Sequence, residues 1–226
     1  MNKSGTKQTR AGRAELFTLV SAAAFIPLLM IWQVFIRNDH TADNRVFEVI
    51  APYINDARTT WMKKISFLAN HRFLVPANLC LIVILLIAKK RKTALTVLFT
   101  ALSSLGIMSL LKNLFQRHRP ADALVEGITN YSFPSGHAFM GMAFYGLLIW
   151  LVLQYIPRKA VRISVILFLS FLLLSIGFSR IYLKVHYTTD VIAGFGLGFG
   201  WLYGCIFLAK KTWGKDEPLR VCTKTS

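Results

Sequence analysis

Long apolar runs separated by short polar segments dominate the hydropathy pattern of the chain. A helix needs roughly 20 consecutive apolar residues to cross the hydrocarbon core of a bilayer, and six runs approach that length. They cover residues 16–36, 65–88, 93–111, 138–155, 161–178 and 191–209. The pattern therefore predicts an all-α fold, a polytopic membrane helical bundle with six transmembrane helices.

The first two runs are less regular than the others. The first follows four basic residues, as in a signal peptide, but its apolar stretch is too long and no small-residue cleavage site follows Trp32. We expect an uncleaved first span. The second is interrupted in its first half by Asn70, His71, Arg72 and Pro76, so we expect it to begin near the outer interface.

Composition agrees with a membrane protein, since 54% of the 226 residues are apolar and the mean hydropathy is +0.49. Six spans leave no room for a separate soluble domain. We therefore expect one integral membrane domain over residues 1–226, with flexible termini at about 1–14 and 212–226. The cysteines show no disulfide or metal-binding spacing, because Cys80 and Cys205 fall inside spans and Cys222 lies in the tail.

The formal net charge of +17 is distributed unevenly over the predicted topology. Most Lys and Arg residues fall in the amino-terminal arm, in segments 89–92 and 157–162, and in the tail from residue 210. Basic loops stay on the cytoplasmic side of a membrane, so both termini are expected there. The charge then orients the protein on the lipid bilayer and predicts no nucleic-acid partner; no obligate protein partner is evident either.

Other polar residues gather after the third span, before the fourth, and between the fifth and sixth, all on the predicted outer face. In the first place, Lys112 and Arg119 are seven residues apart, which puts them on nearly one face of a helix. Two such cations can clamp a dianion. Taken alone, the pair fits interfacial cations with extended side chains better.

The second place reads Phe-Pro-Ser-Gly-His over residues 133–137, directly before an apolar run. Ser135 and Gly136 at a helix start can offer backbone N–H groups to an anion, and His137 can act as a general acid. The same residues also fit a turn followed by a helix N-cap.

The third place runs from Ser179 to Asp190 and includes a further cation, Arg180. Asp190 follows His186 by four residues, one helical turn, so its carboxylate can orient the imidazole. A surface His–Asp contact is the alternative. Together the three places predict a phosphate site, and they predict no metal or other cofactor, because two histidines are too few ligands.

These residues form the patterns K-x6-R-P (112–120), P-S-G-H (134–137) and S-R-x5-H-x3-D (179–190). Together they resemble the three-part signature of the type 2 phosphatidic acid phosphatase superfamily. The resemblance implies that His186 attacks phosphorus, that Asp190 orients it, and that His137 exchanges protons with the leaving group and with water. The implied phosphate-binding residues are Lys112, Arg119, Ser135, Gly136 and Arg180.

The resemblance further implies a metal-independent phosphatase that acts on a lipid phosphate or pyrophosphate through a phosphohistidine. The compact size and the predicted topology indicate a bacterial inner (plasma) membrane with the site at its outer interface. Candidate substrates are undecaprenyl pyrophosphate, phosphatidylglycerol phosphate, phosphatidic acid and a lipid A phosphate. A lipid-linked phosphotransferase is the alternative, because its first half-reaction is the same. Vanadate-dependent haloperoxidases share the signature, but those relatives are soluble and larger.

Three further features have open interpretations. Arg117, His118 and Lys184 lie near the motifs and are expected at most to contact a headgroup. Residues 37–72 mix apolar and charged positions. Such a segment can lie in the membrane interface and shape lipid access, or it can be a cap without substrate contacts. Glycines at 194, 196, 198, 200 and 204 predict close helix packing.

Overall fold

The structure is a computed structural model that describes residues 25–213, and all of its regular secondary structure is helical. Between those residues there is no strand. The helices are α1 (Phe25–Ile36), α2 (Thr41–Ile50), α3 (Asp56–Phe67), α4 (His71–Ile87), α5 (Arg91–Phe115), α6 (Gly136–Tyr155), α7 (Lys159–Tyr182) and α8 (Thr188–Thr212).

Five candidate membrane spans occur in the described part of the chain: the nearly continuous α3–α4 segment (Asp56–Ile87) and helices α5 to α8. The all-α membrane bundle is thus confirmed. The first predicted span, 16–36, is described only from residue 25, as the short apolar helix α1. The predicted flexible termini lie outside the described residues, except that Thr212 closes α8.

The second predicted span, 65–88, is divided between two helices. Helix α3 ends at Phe67, and Asn70 starts α4 by accepting a hydrogen bond from Arg72 N–H at 3.0 Å. An Asn side chain at this position satisfies an N–H group that the first helical turn leaves without a backbone acceptor. The polar residues that interrupt the apolar run therefore mark a helix boundary.

Helix α6 lies at the centre and packs against α5, α7 and α8. Its contact with α8 is close, because a Cβ atom added at Gly194 would lie 2.8 Å from the Ser135 carbonyl oxygen. At Gly198 it would lie 2.8 Å from the Phe139 carbonyl oxygen. The predicted glycine packing thus holds at these two positions, whereas Gly200 and Gly204 have nothing within 4 Å of an added Cβ.

Helices α2 and α3 form the segment whose role the sequence left open. Val46 and Phe47 of α2 pack on buried residues at the ends of α7 and α8, including Ile181 and Val191. Val49 and Trp61 remain exposed on the outside of the same segment. The segment therefore caps one end of the bundle and also presents apolar side chains at its surface.

Candidate phosphate-binding active site

The side chains of Lys112 and Arg119 lie close together, although the two residues are not on one face of a single helix as predicted. Helix α5 ends at Phe115, and Gln116 takes a left-handed conformation with φ of 46°. Arg119 therefore lies in the following loop. The loop folds back so that Lys112 Nζ and Arg119 Nη2 both donate to the Asn130 side-chain oxygen, at 3.4 and 2.6 Å. Both side chains also donate to the Tyr131 carbonyl oxygen.

Ser135 and Gly136 take different positions at the start of α6. Ser135 is the N-cap, fully buried, and its N–H donates to the Asp190 carbonyl oxygen at 3.0 Å. The expectation that this amide faces an anion is wrong, because it holds α6 against α8. Gly136 does line the cavity described below, and an added Cβ there would lie 3.7 Å from Lys112 Cε.

His186 and Asp190 are close, although they do not share a helical turn as predicted. His186 lies between α7 and α8, and its backbone N–H donates to the Arg180 carbonyl oxygen at 3.4 Å. Asp190 is in the first turn of α8, where its Oδ2 accepts from Tyr187 N–H at 2.9 Å. The distance from His186 Nδ1 to Asp190 Oδ2 is 3.6 Å, which is long for a hydrogen bond.

Ser132 bridges these two side chains, and the sequence did not identify it. Its Oγ lies 2.5 Å from Asp190 Oδ2 and 3.4 Å from His186 Nδ1. The only proton on the hydroxyl can donate to the carboxylate, so the hydroxyl oxygen is left to accept from Nδ1–H. This places the free lone pair of the imidazole on Nε2, which lies 3.3 Å from Arg119 Nη1.

Burial and nearby cations determine the charge state of these groups. His186 is 1% exposed, and burial, followed by Arg119, Arg180 and Lys112, holds the pKa of its imidazole well below the usual value of 6.5. Burial also lowers the pKa of Arg119 to about 10. At neutral pH the site therefore pairs a neutral imidazole with a charged guanidinium.

Arg180 points its guanidinium toward the same space from the end of α7. Its Nη1 donates to Ser66 Oγ at 2.5 Å, whereas its buried Nε has no hydrogen-bond partner among the described residues. An unpaired buried donor on a cation costs free energy. An anion in contact with this side chain would recover that cost.

Arg117 is buried behind the site, so its expected contact with a headgroup is wrong. It bridges two buried carboxylates, those of Asp190 at 2.5 Å and Asp43 at 2.9 Å. His118 is exposed, and Lys184 Nζ lies 3.9 Å from an Asp122 oxygen at the surface. Asp43 was not identified from the sequence, since nothing in its local pattern distinguishes it from other polar residues of α2.

A cavity of about 590 Å³ opens at this end of the bundle. Six of the eight predicted site residues line it: Lys112, Arg119, Gly136, His137, Arg180 and His186. Asp190 lies behind His186, and Ser135 lies beneath Gly136. No Asp or Glu side chain of the described residues contributes to the lining. The cavity is therefore positively charged and has the chemistry of an anion site.

Two further cavities lie next to this site. A second cavity of about 410 Å³ shares Lys112 and His137 with the first. It also shares His71 and Leu105 with an apolar groove of about 170 Å³ between α4 and α5. The apolar groove therefore lies near the cationic cavity, with the second cavity between them.

The donor set does not resemble a metal centre. Within residues 25–213, no three His, Cys, Asp or Glu side chains lie together as a metal ion would require. The cavity instead combines the imidazoles of three histidines with four cationic side chains, those of Lys63, Lys112, Arg119 and Arg180.

Comparison with known proteins identifies the family of the chain. Phosphatidylglycerophosphatase B of Bacillus subtilis (strain 168) is 26% identical over 170 residues, 75% of this chain and 78% of that protein. The crystal structure of a transmembrane PAP2-type phosphatidylglycerolphosphate phosphatase from Bacillus subtilis superposes with a TM-score of 0.78 at 22% identity, covering 85% of this chain and 96% of that one.

The crystal structure of Aquifex aeolicus LpxE gives a TM-score of 0.57 at 21% identity, covering 74% of this chain and 93% of that one. The PAP2 superfamily profile matches residues 93–213, more than half of the chain and all three motifs. The protein therefore belongs to the PAP2 superfamily.

Proposed function

We propose that the protein is a lipid phosphate phosphatase that acts through a phosphohistidine on His186. The observation that carries this proposal is a cavity lined by Lys112, Arg119, Arg180, His137 and His186, to which no acidic side chain of the described residues contributes. Arg180 lines the cavity, and its buried Nε has no hydrogen-bond partner among the described residues. Family membership and the names of the relatives support the same class of reaction.

In the first step, Nε2 of His186 attacks phosphorus and the bond from phosphorus to the lipid oxygen breaks. The three cations hold the phosphoryl oxygens and stabilise the redistributed charge, which is the main requirement of phosphoryl transfer. Gly136 allows the group to approach the start of α6 closely. The Ser132 and Asp190 side chains behind Nδ1 keep the imidazole in the reactive tautomer.

His137 provides the proton that the departing lipid oxygen needs. In the second step it takes a proton from a water molecule, which attacks phosphorus and breaks the bond to Nε2. Inorganic phosphate leaves and His186 regains its lone pair. One histidine thus carries the phosphoryl group while the other serves first as acid and then as base.

The lipid character of the substrate is supported by the groove between α4 and α5, which is mostly apolar and shares lining residues with the cavity beside the cationic site. Of the candidate headgroups, the curated relative favours phosphatidylglycerol phosphate. Undecaprenyl pyrophosphate, phosphatidic acid and a lipid A phosphate carry the same reactive group. We place the enzyme in the bacterial plasma membrane with its site facing outward, because segments 89–92 and 157–162 put basic residues at the opposite end of the bundle.

The test is hydrolysis of these four lipids by purified protein in detergent, assayed by release of inorganic phosphate in the presence of EDTA. We expect release from at least one lipid, loss of release in His186→Ala, and full activity in His118→Ala, a matched change at an exposed histidine. Product that forms only when an acceptor lipid is added would instead identify a phosphotransferase. Full activity in a folded His186→Ala variant would contradict the assigned nucleophile.

A further inference from the structure

Two buried charged residues that the proposed mechanism does not use lie directly behind Asp190. Arg117 donates from Nη1 to Asp190 Oδ1 at 2.5 Å and from Nη2 to Asp43 Oδ2 at 2.9 Å. The side chains of both aspartates are 0% exposed, and that of Arg117 is 6% exposed. The contacts that begin at His186 and Ser132 therefore continue through Asp190 and Arg117 to Asp43 on α2.

Asp43 also holds the first turn of α8, which carries Asp190. Its Oδ1 accepts from Thr189 N–H at 2.9 Å, and its Oδ2 accepts from Thr189 Oγ1 at 2.7 Å. A carboxylate at a helix amino terminus satisfies an N–H group there and interacts favourably with the helix dipole. Arg117 in turn lies over the Tyr187 ring, 3.9 Å from its centroid, so residues 187–190 are held from two sides.

The combined charge of Asp43, Arg117 and Asp190 suits the positive charge that His186 gains during the reaction. Two carboxylates and one guanidinium have a net charge of −1 beside a neutral imidazole. The imidazole becomes cationic when its Nε2 bonds to phosphorus, and a buried charge of −1 then stabilises it. Two buried carboxylates without Arg117 would repel each other.

We propose that Arg117 and Asp43 are positioning residues that orient Asp190 behind His186 and give the group its single net negative charge. The inference rests on the proposed function and adds to it a part of the site contributed by α2. Arg117 and Asp43 are positioning residues rather than catalytic ones, because neither lines the cavity.

The proposal predicts opposite electrostatic effects from two substitutions. Asp43→Asn changes the net charge of the group to 0, so protonated His186 is less stabilised and its pKa falls. Arg117→Gln changes the charge to −2, so that pKa rises. The double variant returns the charge to −1 and should return the pKa toward its original value. The other ionisable groups around His186 are unchanged in all variants: Lys112, Arg119, His137 and Arg180. His40, whose Nδ1 lies 3.0 Å from Arg117 Nη2, is also unchanged.

The measurement is NMR titration of protein labelled at its five histidines, with the His186 signal assigned by its absence in His186→Ala. We expect shifts of about 0.5 to 1 pH unit in opposite directions for the single variants. Asp122→Asn, which removes an exposed carboxylate near the same face, is the matched control and should leave the titration unchanged. If the pKa of His186 shifts in the same direction in both single variants, or shifts in neither, the proposal is overturned.

Kinetics give an independent readout. Both single variants should lower kcat by about 10- to 100-fold with KM within about twofold, because neither residue contacts the phosphate. If KM rises while kcat stays unchanged, the proposal is overturned. If Arg117→Gln does not remain folded in detergent, the Asp43→Asn variant alone tests the proposal. The pKa of His186 must then fall in that variant. Phosphate release by the unmodified enzyme is measured first, so failure of the proposed function is distinguished from failure of this inference.

Discussion

His186 Nε2 and Arg119 Nη1 lie 3.3 Å apart. Arg119 is held there by its contacts with the Asn130 side chain and with the Val185 carbonyl oxygen. A phosphoryl group that reaches Nε2 therefore meets a guanidinium donor that is already in position. After burial, the close positive charge of Arg119 is the main cause of the lowered pKa of His186.

Arg119→Gln should move the acid limb of kcat/KM to higher pH. A positive charge beside His186 disfavours its protonated form, so removal of that charge raises the pKa of the imidazole from its depressed value. The neutral, nucleophilic form is then lost at a higher pH, by about 0.5 to 1 unit. The ionisation of the substrate is common to both proteins and cancels in the comparison.

The control is Arg158→Gln, which removes an exposed guanidinium at the start of α7, far along that helix from Arg180. Its acid limb should match that of the unmodified enzyme. An unchanged limb in Arg119→Gln would show that Arg119 does not govern the ionisation of His186.

Ser132→Ala should lower kcat by about 10- to 100-fold and leave KM nearly unchanged. The change removes the hydroxyl that bridges His186 Nδ1 and Asp190 Oδ2, and the remaining 3.6 Å separation is too long for a good hydrogen bond. Steady-state kinetics measure the effect. Ser175→Ala, which removes a hydroxyl bonded only to the Phe171 carbonyl oxygen, should retain activity; equal losses in both variants would argue against the bridge.

Gly194→Ala should reduce both thermal stability and activity. Its Cβ would lie 2.8 Å from the Ser135 carbonyl oxygen, so the backbone that leads into His137 must shift. Overpacking of this kind costs about 1–3 kcal/mol. Gly200→Ala is the matched control because nothing lies within 4 Å of an added Cβ. Thermal unfolding in detergent should separate the two variants, and identical melting temperatures would contradict the close packing of α6 on α8.

Ala101→Trp should raise KM by about tenfold for long-chain lipid phosphates and leave hydrolysis of p-nitrophenyl phosphate unchanged. Ala101 lines the apolar groove between α4 and α5, where a Trp side chain would occupy the space proposed for the hydrocarbon chain. Leu167→Trp, on the exposed surface of α7, should affect neither substrate. Equal KM values for Ala101→Trp and the unmodified enzyme on the long-chain lipid would exclude the groove as its binding site.

Hydropathy predicted the bundle well because crossing a bilayer constrains composition over roughly 20 residues at a time. Helices α5 to α8 begin and end within about one turn of the predicted spans. The second span was predicted less well, since a hydropathy window averages over the break at which Asn70 caps α4.

The site was predicted in part. The three motifs named residues that the fold brings into one cavity. The helical arrangement assumed for the first and third motifs was wrong, however. Lys112 and Arg119 were expected on one helix, and the left-handed Gln116 that separates them has no clear signal in the sequence. The contacts of Arg117 with Asp43 and Asp190 join residues more than 70 positions apart, so no local pattern could predict them.

The most direct test of the account is to identify the residue that carries the phosphoryl group during turnover. Purified enzyme is mixed with a hydrolysed lipid phosphate, quenched rapidly at alkaline pH and digested, and the phosphorylated peptide is mapped by mass spectrometry. We predict one phosphoryl group on the imidazole of His186 and none in His186→Ala. Phosphorylation of a different residue, or its persistence in His186→Ala, would contradict the proposed mechanism.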